Sequence, residues 1–231
     1  MIRALLTIDD VASRNTLALV DYLKEKGICA LFFATGQNVE AFYEEAKYAL
    51  KSGMVIGNHS YSHPAFSTIT MEECAKEIEQ CEQVLNRLYQ DCGVKRAYRP
   101  FRFPYGDKGG KNREALQAYF REKGFNKVDD TQIPYPWWAE NGLNRDIDTF
   151  WTFDFEEYRI RPGSDFTFEC AWQKIHDGNP QQGAALLEEG GRHILLLHAH
   201  DETEQMIPKY YERFIDELLA HGVVFDEPAF L

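Results

Sequence analysis

Cysteine, long apolar runs and positive charge are all scarce in this sequence, and each scarcity removes a class of protein. Five cysteines in 231 residues, none in a CxxC pair, are too few and too scattered for a disulfide scaffold, and they suit a reducing compartment. No apolar run approaches the roughly 20 residues that a bilayer span requires, so no membrane partner is expected. Lys and Arg number 25 against 37 Asp and Glu, a formal charge of −12. A surface of that sign is repelled by phosphate backbones and anionic lipid, which argues against nucleic acid as a partner. Internal repeats, low-complexity tracts and Pro/Ser-rich linkers are missing too. Met1-Ile2-Arg3 leads straight into Ala4-Leu5-Leu6-Thr7-Ile8, without the longer apolar stretch and small-residue cleavage site of a secretory signal, so a cytoplasmic location is expected.

What is present is ordinary globular material. Hydrophobic residues make up 44% and charged residues 27%, and the length suffices for one substantial domain, taken as 1–231. Along it a short apolar run is followed repeatedly by a helical pattern. Strands are predicted at 4–8, 29–34, 54–56, 97–101, 125–128, 150–153, 194–197 and 223–225. Helices are predicted around 17–23, 41–50, 70–90, 114–123 and 204–220, closed by Gly27, Gly53, Gly93, Gly124 and Gly222. Thr70, with Glu73 three residues on, has the spacing of a capping box. Alternation of this kind implies a parallel sheet covered by helices, α/β in class. An open doubly wound sheet shares the pattern, but seven or eight such units in one domain fit a TIM-like barrel better. In a barrel the chemistry sits at the C-terminal ends of the strands, so reactive residues are expected directly after the apolar runs.

That is where they stand. Asp9 and Asp10 follow the first run, and burying both as anions costs several kcal/mol unless a cation or donors compensate. Neighbours on a strand point to different sides, so one can hold a metal while the other takes a proton. His59 and His63, separated by three residues after the third run, can place two imidazoles beside one ion on a helical turn or on a tight loop closed by Pro64. A zincin helix is excluded because Ser60 stands where its Glu belongs. Two His and one Asp match a catalytic zinc-type site with open positions. Arg102 opens Arg-Phe-Pro-Tyr-Gly, where a guanidinium can orient a carboxylate and a turn can aim a backbone N–H at an oxyanion. His198 ends the most apolar run and suits a general acid, and His200, two residues on, faces the same side and competes for that role. Each motif also has a plain reading taken singly: Asp10 as a helix cap, the His pair as incidental, Arg102 as solvated, His198 as a core histidine. The stretch 133–138 carries Trp137 and Trp138, which either face a sugar substrate or plug the open seam of the barrel.

Taken together, five ordered motifs resemble the polysaccharide deacetylase family, carbohydrate esterases with a NodB-homology domain. They are Thr7-Ile8-Asp9-Asp10, Asn58-His59-Ser60-Tyr61-Ser62-His63-Pro64, Phe101-Arg102-Phe103-Pro104-Tyr105-Gly106, the stretch 151–158 and Leu196-Leu197-His198. The resemblance implies a distorted (β/α)7 barrel and a divalent ion, zinc first with cobalt, manganese or nickel as alternatives, held by Asp10, His59 and His63. It further implies Asp9 as catalytic base, Arg102 as its partner, His198 as acid, the Tyr105 N–H in the oxyanion site and Leu196 against the acetyl methyl. The chain departs from the family pattern in three places. Val11-Ala12 replaces Gly-Pro, Ala199 follows His198 in place of Asp, and Glu157-Tyr158 stands where Asp-Trp is usual. The carboxylate that tunes the acid is then Glu157 by position or Asp154 by type. The implied activity is metal-dependent removal of acetyl groups from an N- or O-acetylated carbohydrate, an oligosaccharide in preference to a wall polymer. Two other readings compete: a cytoplasmic hydrolase of another small amide or imide, and a metal-stabilised carbohydrate-binding protein without turnover. The sequence carries no signal for oligomeric state.

Overall fold

A computed structural model describes residues 1–231. Its long central strand is β1 (Arg3–Val11), followed in the chain by β2 (Leu31–Ala34), β3 (Val55–Asn58), β4 (Phe153–Asp154), β5 (Arg192–His198) and β6 (Val224–Phe225). All pair in parallel, in the order β3-β2-β1-β5-β4, with β6 against the first residues of β1. Ala4, Leu6 and Ile8 pack outward into the large cluster beneath the helices, while Leu5 faces inward with Leu31, Phe33 and Ile194. Period-two alternation thus puts Thr7 and Asp9 on the inner face as well.

The wall between β3 and β4 is thin. Asn58 bridges Phe101, Arg102 N–H donates to the Asn58 carbonyl, and Thr149 N–H donates to the Phe101 carbonyl. Thr152 N–H then reaches the Ile194 carbonyl of β5 and completes the ring. The architecture is a distorted (β/α)7 barrel.

The predicted strands at 97–101 and 125–128 shrink to single bridges, at Phe101 and between Val128 and Phe230, and that at 150–153 shortens to β4. Pro100 has no N–H to give a ladder, and it approaches so closely that a Cβ on Gly57 would lie 2.7 Å from its Cγ. The carbonyls of Thr149 and Phe150 are taken by the Arg102 side chain rather than by a neighbouring strand.

Nine helices surround this wall: α1 (Thr16–Glu25), α2 (Gly36–Ala41), α3 (Tyr43–Lys51), α4 (Met71–Cys92), α5 (Arg113–Glu122), α6 (Pro136–Glu140), α7 (Phe168–Ile175), α8 (Asp201–Met206) and α9 (Tyr210–Ala220). None is long and apolar enough to cross a membrane. Thr70 and Glu73 form the capping box of α4, and Gly93 ends it at φ 67°. The predicted helix at 41–50 is α3, and α2 precedes it, parted from it at Phe42. The one at 204–220 is two, because Pro208 pushes Ile207 out of helical geometry (φ −133°, ψ 85°). α2, α6 and α7 lie outside the predicted set.

α4 also supports the loop that leaves β3. Its buried Glu82 accepts from Asn58 Nδ2 (2.9 Å), Arg96 Nη2 (2.7 Å) and Arg99 Nε (2.8 Å), and Asn58 Oδ1 in turn accepts from Ser60 N–H (2.8 Å). Glu77 accepts from the Tyr61 and Ser62 N–H groups (3.1 and 2.7 Å). Removing the Glu82 carboxylate strands the buried Arg96 guanidinium. Glu82→Ala is therefore expected to lower unfolding free energy by about 3 kcal/mol in urea titrations. A loss below about 1 kcal/mol would show that both arginines find water instead.

Candidate active site

At the C-terminal end of β1 two adjacent carboxylates face one cavity, which a regular strand does not allow. The β1–β2 register shifts between Asp9 and Val11, and Asp10 takes φ 61°. This bulge turns Asp10 back beside Asp9. A non-glycine residue rarely adopts that geometry, and Ser60 (φ 66°), His63 (φ 62°) and Tyr105 (φ 59°) share it around the same cavity.

Asp9 is pinned by Arg102. The guanidinium is wholly buried; its Nη1 donates to Asp9 Oδ1 (2.8 Å) and Thr7 Oγ1 (2.7 Å), and its Nε to the Thr149 carbonyl (3.1 Å). The Phe33 and Trp151 rings lie 4.5 and 5.6 Å from its centre. Asp9 Oδ2 is left facing His59 Nε2 at 3.5 Å.

Asp10, His59 and His63 each bring one ligand atom within 4.8 Å of the others. Asp10 Oδ1 is 3.4 Å from His63 Nε2 and 3.8 Å from His59 Nε2. His59 Nδ1 lies 2.9 Å from the Arg102 carbonyl. As donor there, it leaves the Nε2 lone pair aimed at the cavity, the outer support usual for a metal-binding imidazole. Burial pushes the His63 imidazole down to about 4, so at neutral pH it is an unprotonated donor. Burial works against the charge of Asp10, but the hydrogen bond with His200 Nε2 (2.7 Å) and the charges of His59 and His63 outweigh it and hold the carboxyl well below the usual range. One carboxylate and two free imidazole nitrogens fit a divalent metal ion.

Across the cavity the electrostatics reverse. β1 and β5 run in register, with Asp9 opposite His198 and Thr7 opposite Leu196, so all four side chains share the inner face. The backbone N–H and Nδ1 of His198 both lie against Glu157 Oε1 (2.7 and 2.9 Å). Burial disfavours a charged His198, but the charge and hydrogen bond of Glu157 prevail and push it up to about 10. Burial drives Asp154 up to about 7, with the charge of Glu157 adding to it and that of His198 opposing. Glu157 thus touches His198, whereas Asp154 binds the Glu156 N–H (2.8 Å). His200 is occupied with Asp10.

The cavity measures about 220 Å3, and Leu196, Asp154 and the exposed turn residue Tyr105 line it. Trp151 and Tyr158, the two ends of the 151–158 motif, line it too, although the sequence assigned neither a role. The Tyr158 ring meets His198 edge-on at 4.8 Å. A groove of about 700 Å3 continues from it, sharing Trp151, Asp154 and Tyr158, and Trp137 sits in this groove. Trp138 does not line the cavity. It is buried with Leu5, Leu31 and Phe33, and its Nε1 donates to Asp130 Oδ2 (2.7 Å), so it plugs the barrel. Glu157 likewise stands behind His198 rather than on the cavity wall. Glu77 and Glu82, which shape the His59–His63 loop together with Asn58 of the 58–64 motif, carry no sequence signal beyond a polar residue on a helix.

Comparison with known proteins agrees with this fold. The polysaccharide deacetylase family model matches residues 2–125. The chain is 37% identical over 105 residues to a peptidoglycan-N-acetylglucosamine deacetylase of Bacillus cereus, covering 44% of this chain and 36% of that one. It is 27% identical over 192 residues to a chitooligosaccharide deacetylase of Azorhizobium caulinodans, covering 81% and 80%. A solved structure of a peptidoglycan N-acetylglucosamine deacetylase superposes with TM-score 0.66 at 23% identity, over 97% of this chain and 85% of that one.

The charged His198 carries a stability signature. Its folded pKa near 10 lies above the ordinary value of about 6.5, so its contribution is complete below about pH 6.5 and drains away as pH rises toward 10. Metal-free protein is expected to lose stability across that window, and Glu157→Gln to flatten the slope. Histidine NMR checks the pairing: a His198 that titrates near 6.5 in the parent chain contradicts it.

Proposed function

The chain belongs to the polysaccharide deacetylase family, and we propose that it is a metal-dependent hydrolase that removes acetyl groups from an N-acetylated oligosaccharide. The observation that carries this reading is the division of labour at the end of β1. Asp10 is grouped with two imidazoles, while Asp9, one residue away, has one oxygen tied to Arg102 and the other turned to the same spot.

A zinc-type ion on Asp10, His59 and His63 would, when bound, polarise the acetyl carbonyl and acidify a water molecule. The protein's own groups do the rest. Asp9 Oδ2 takes the proton of the attacking water, and Arg102 fixes the carboxylate for that transfer. Leu196 gives the acetyl methyl an apolar seat, and the turn at Tyr105 brings a backbone N–H to the developing oxyanion. His198, held protonated by Glu157, donates to the departing nitrogen, and acetate leaves. His200 steadies Asp10 and is not the acid.

The aromatic groove supports an extended substrate. The cavity admits little more than an acetamido group and its ring, while Phe150 and Trp151 stack 4.2 Å apart beside it and Trp137 and Tyr158 stand further along. Aromatic faces of this kind pack on sugar rings. The names of the relatives, which include a chitooligosaccharide and two peptidoglycan deacetylases, support the same substrate class.

Acetate release from chitooligosaccharides, peptidoglycan fragments, acetyl-xylan and small N-acetyl compounds tests the reading. Turnover is expected on oligosaccharides and to stop with a chelator; turnover that persists without metal contradicts it. Asp9→Asn is expected to lower turnover by about 10²–10⁴-fold with metal content unchanged. The Asn side-chain oxygen, Thr7, Thr149 and Phe150 can still accept from Arg102, so the lost charge is expected to lower stability without unfolding the chain, which a thermal melt of the variant checks. His59→Ala is expected to lose metal as well as activity.

A further inference from the structure

Far from the barrel rim, a second set of metal-ligating side chains stands where two helices end. α7 closes on His176 and α9 on His221, each at the C-terminal cap. Glu217, one turn before His221, lies between them. Its Oε1 is 3.0 Å from His176 Nε2 and 3.4 Å from His221 Nδ1, and the two imidazole centres are 5.4 Å apart. One ligand atom from each residue falls within 4.8 Å of the other two. The hydrolytic reaction uses none of these residues.

Several features favour a cation at this spot. The carbonyl ends of α7 and α9 converge there, and helix C-termini carry partial negative charge. A carboxylate with two imidazoles suits zinc, nickel or copper better than magnesium or calcium. The His176 and His221 side chains are 39% and 42% exposed, so an ion can enter. The residues come from two helices, so one ion would join them. We infer that His176, Glu217 and His221 form a second divalent transition-metal site, which ties α7 to α9 independently of the hydrolytic centre. Through Lys174, α7 belongs to the wall of the aromatic groove, and the ion would brace that wall.

Trp172 supplies a reporter, because its ring lies 6.0 Å from that of His176. Nickel titration of the full chain is expected to quench tryptophan fluorescence in a saturable step that disappears in Trp172→Phe. In His176→Ala/His221→Ala that step should weaken by at least about tenfold, the least that losing even an outer-shell partner of a metal costs. Equilibrium dialysis should show one fewer nickel ion bound to this double variant than to the parent. Should the double variant misfold, Glu217→Gln, which preserves size, should show the same weakening. Equal stoichiometry and an unchanged quenching midpoint in the folded variants would overturn the assignment. Loss of the rim site by His59→Ala should leave the Trp172 step intact, so the two sites fail separately.

Discussion

A guanidinium shut away from water needs several oxygen partners, and the barrel's distorted side is built around supplying them to Arg102. Asp9 supplies the opposite charge, Thr7 a hydroxyl, and Thr149 and Phe150 their carbonyls. Desolvating such a pair costs several kcal/mol per ion, and it persists only where the remaining hydrogen bonds are met. The distortion of the barrel follows from this demand. Thr149 and Phe150 turn their carbonyls to the side chain rather than to a strand ladder, and Gly57 lets the Pro100–Arg102 segment press against β3. The same backbone carries the Arg102 carbonyl to His59 and sets that imidazole. One buried cation therefore fixes the proposed base, the closing wall and one candidate metal ligand.

The cavity has two electrostatic halves. On the β3 side burial wins, leaving His63 neutral, as a metal ligand must be. On the β5 side the wholly buried Glu157 wins and keeps His198 charged, as a general acid must be. Imidazoles with opposite protonation states at one pH, within one cavity, are an arrangement suited to acid–base chemistry. The Glu-Tyr pair at 157–158, unusual beside the family's Asp-Trp, is compatible with this because Glu157 reaches both the N–H and Nδ1 of His198 with one oxygen.

Much of this was legible in the residues themselves. Apolar runs ending in Asp9-Asp10, His59, Arg102 and His198 located one rim, and glycine and threonine caps located α1, α4 and α5. What was not legible depends on long-range contacts. The shortened wall segment at 149–152 looks like a strand by composition, since the competitor for the Thr149 and Phe150 carbonyls, Arg102, is distant in sequence. Alternation predicts that Asp9 and Asp10 point apart, and only the bulge paired against β2 brings them together. Trp137 and Trp138 are equivalent as letters, yet the register of α6 sends one to the groove and the other to the barrel interior, where Asp130 receives its N–H. Glu157 and Asp154 are likewise separated only by which carboxylate meets His198 behind β5.

The central claim is that an ion sits between Asp10 and the two imidazoles while Asp9 stays outside its shell. Anomalous diffraction at the zinc absorption edge, from crystals grown with zinc, tests it most directly. The account predicts one peak with Asp10, His59 Nε2 and His63 Nε2 at about 2.0–2.2 Å and Asp9 still bound to Arg102. A cavity without a peak, or an ion that draws Asp9 into its coordination and away from Arg102, would contradict it.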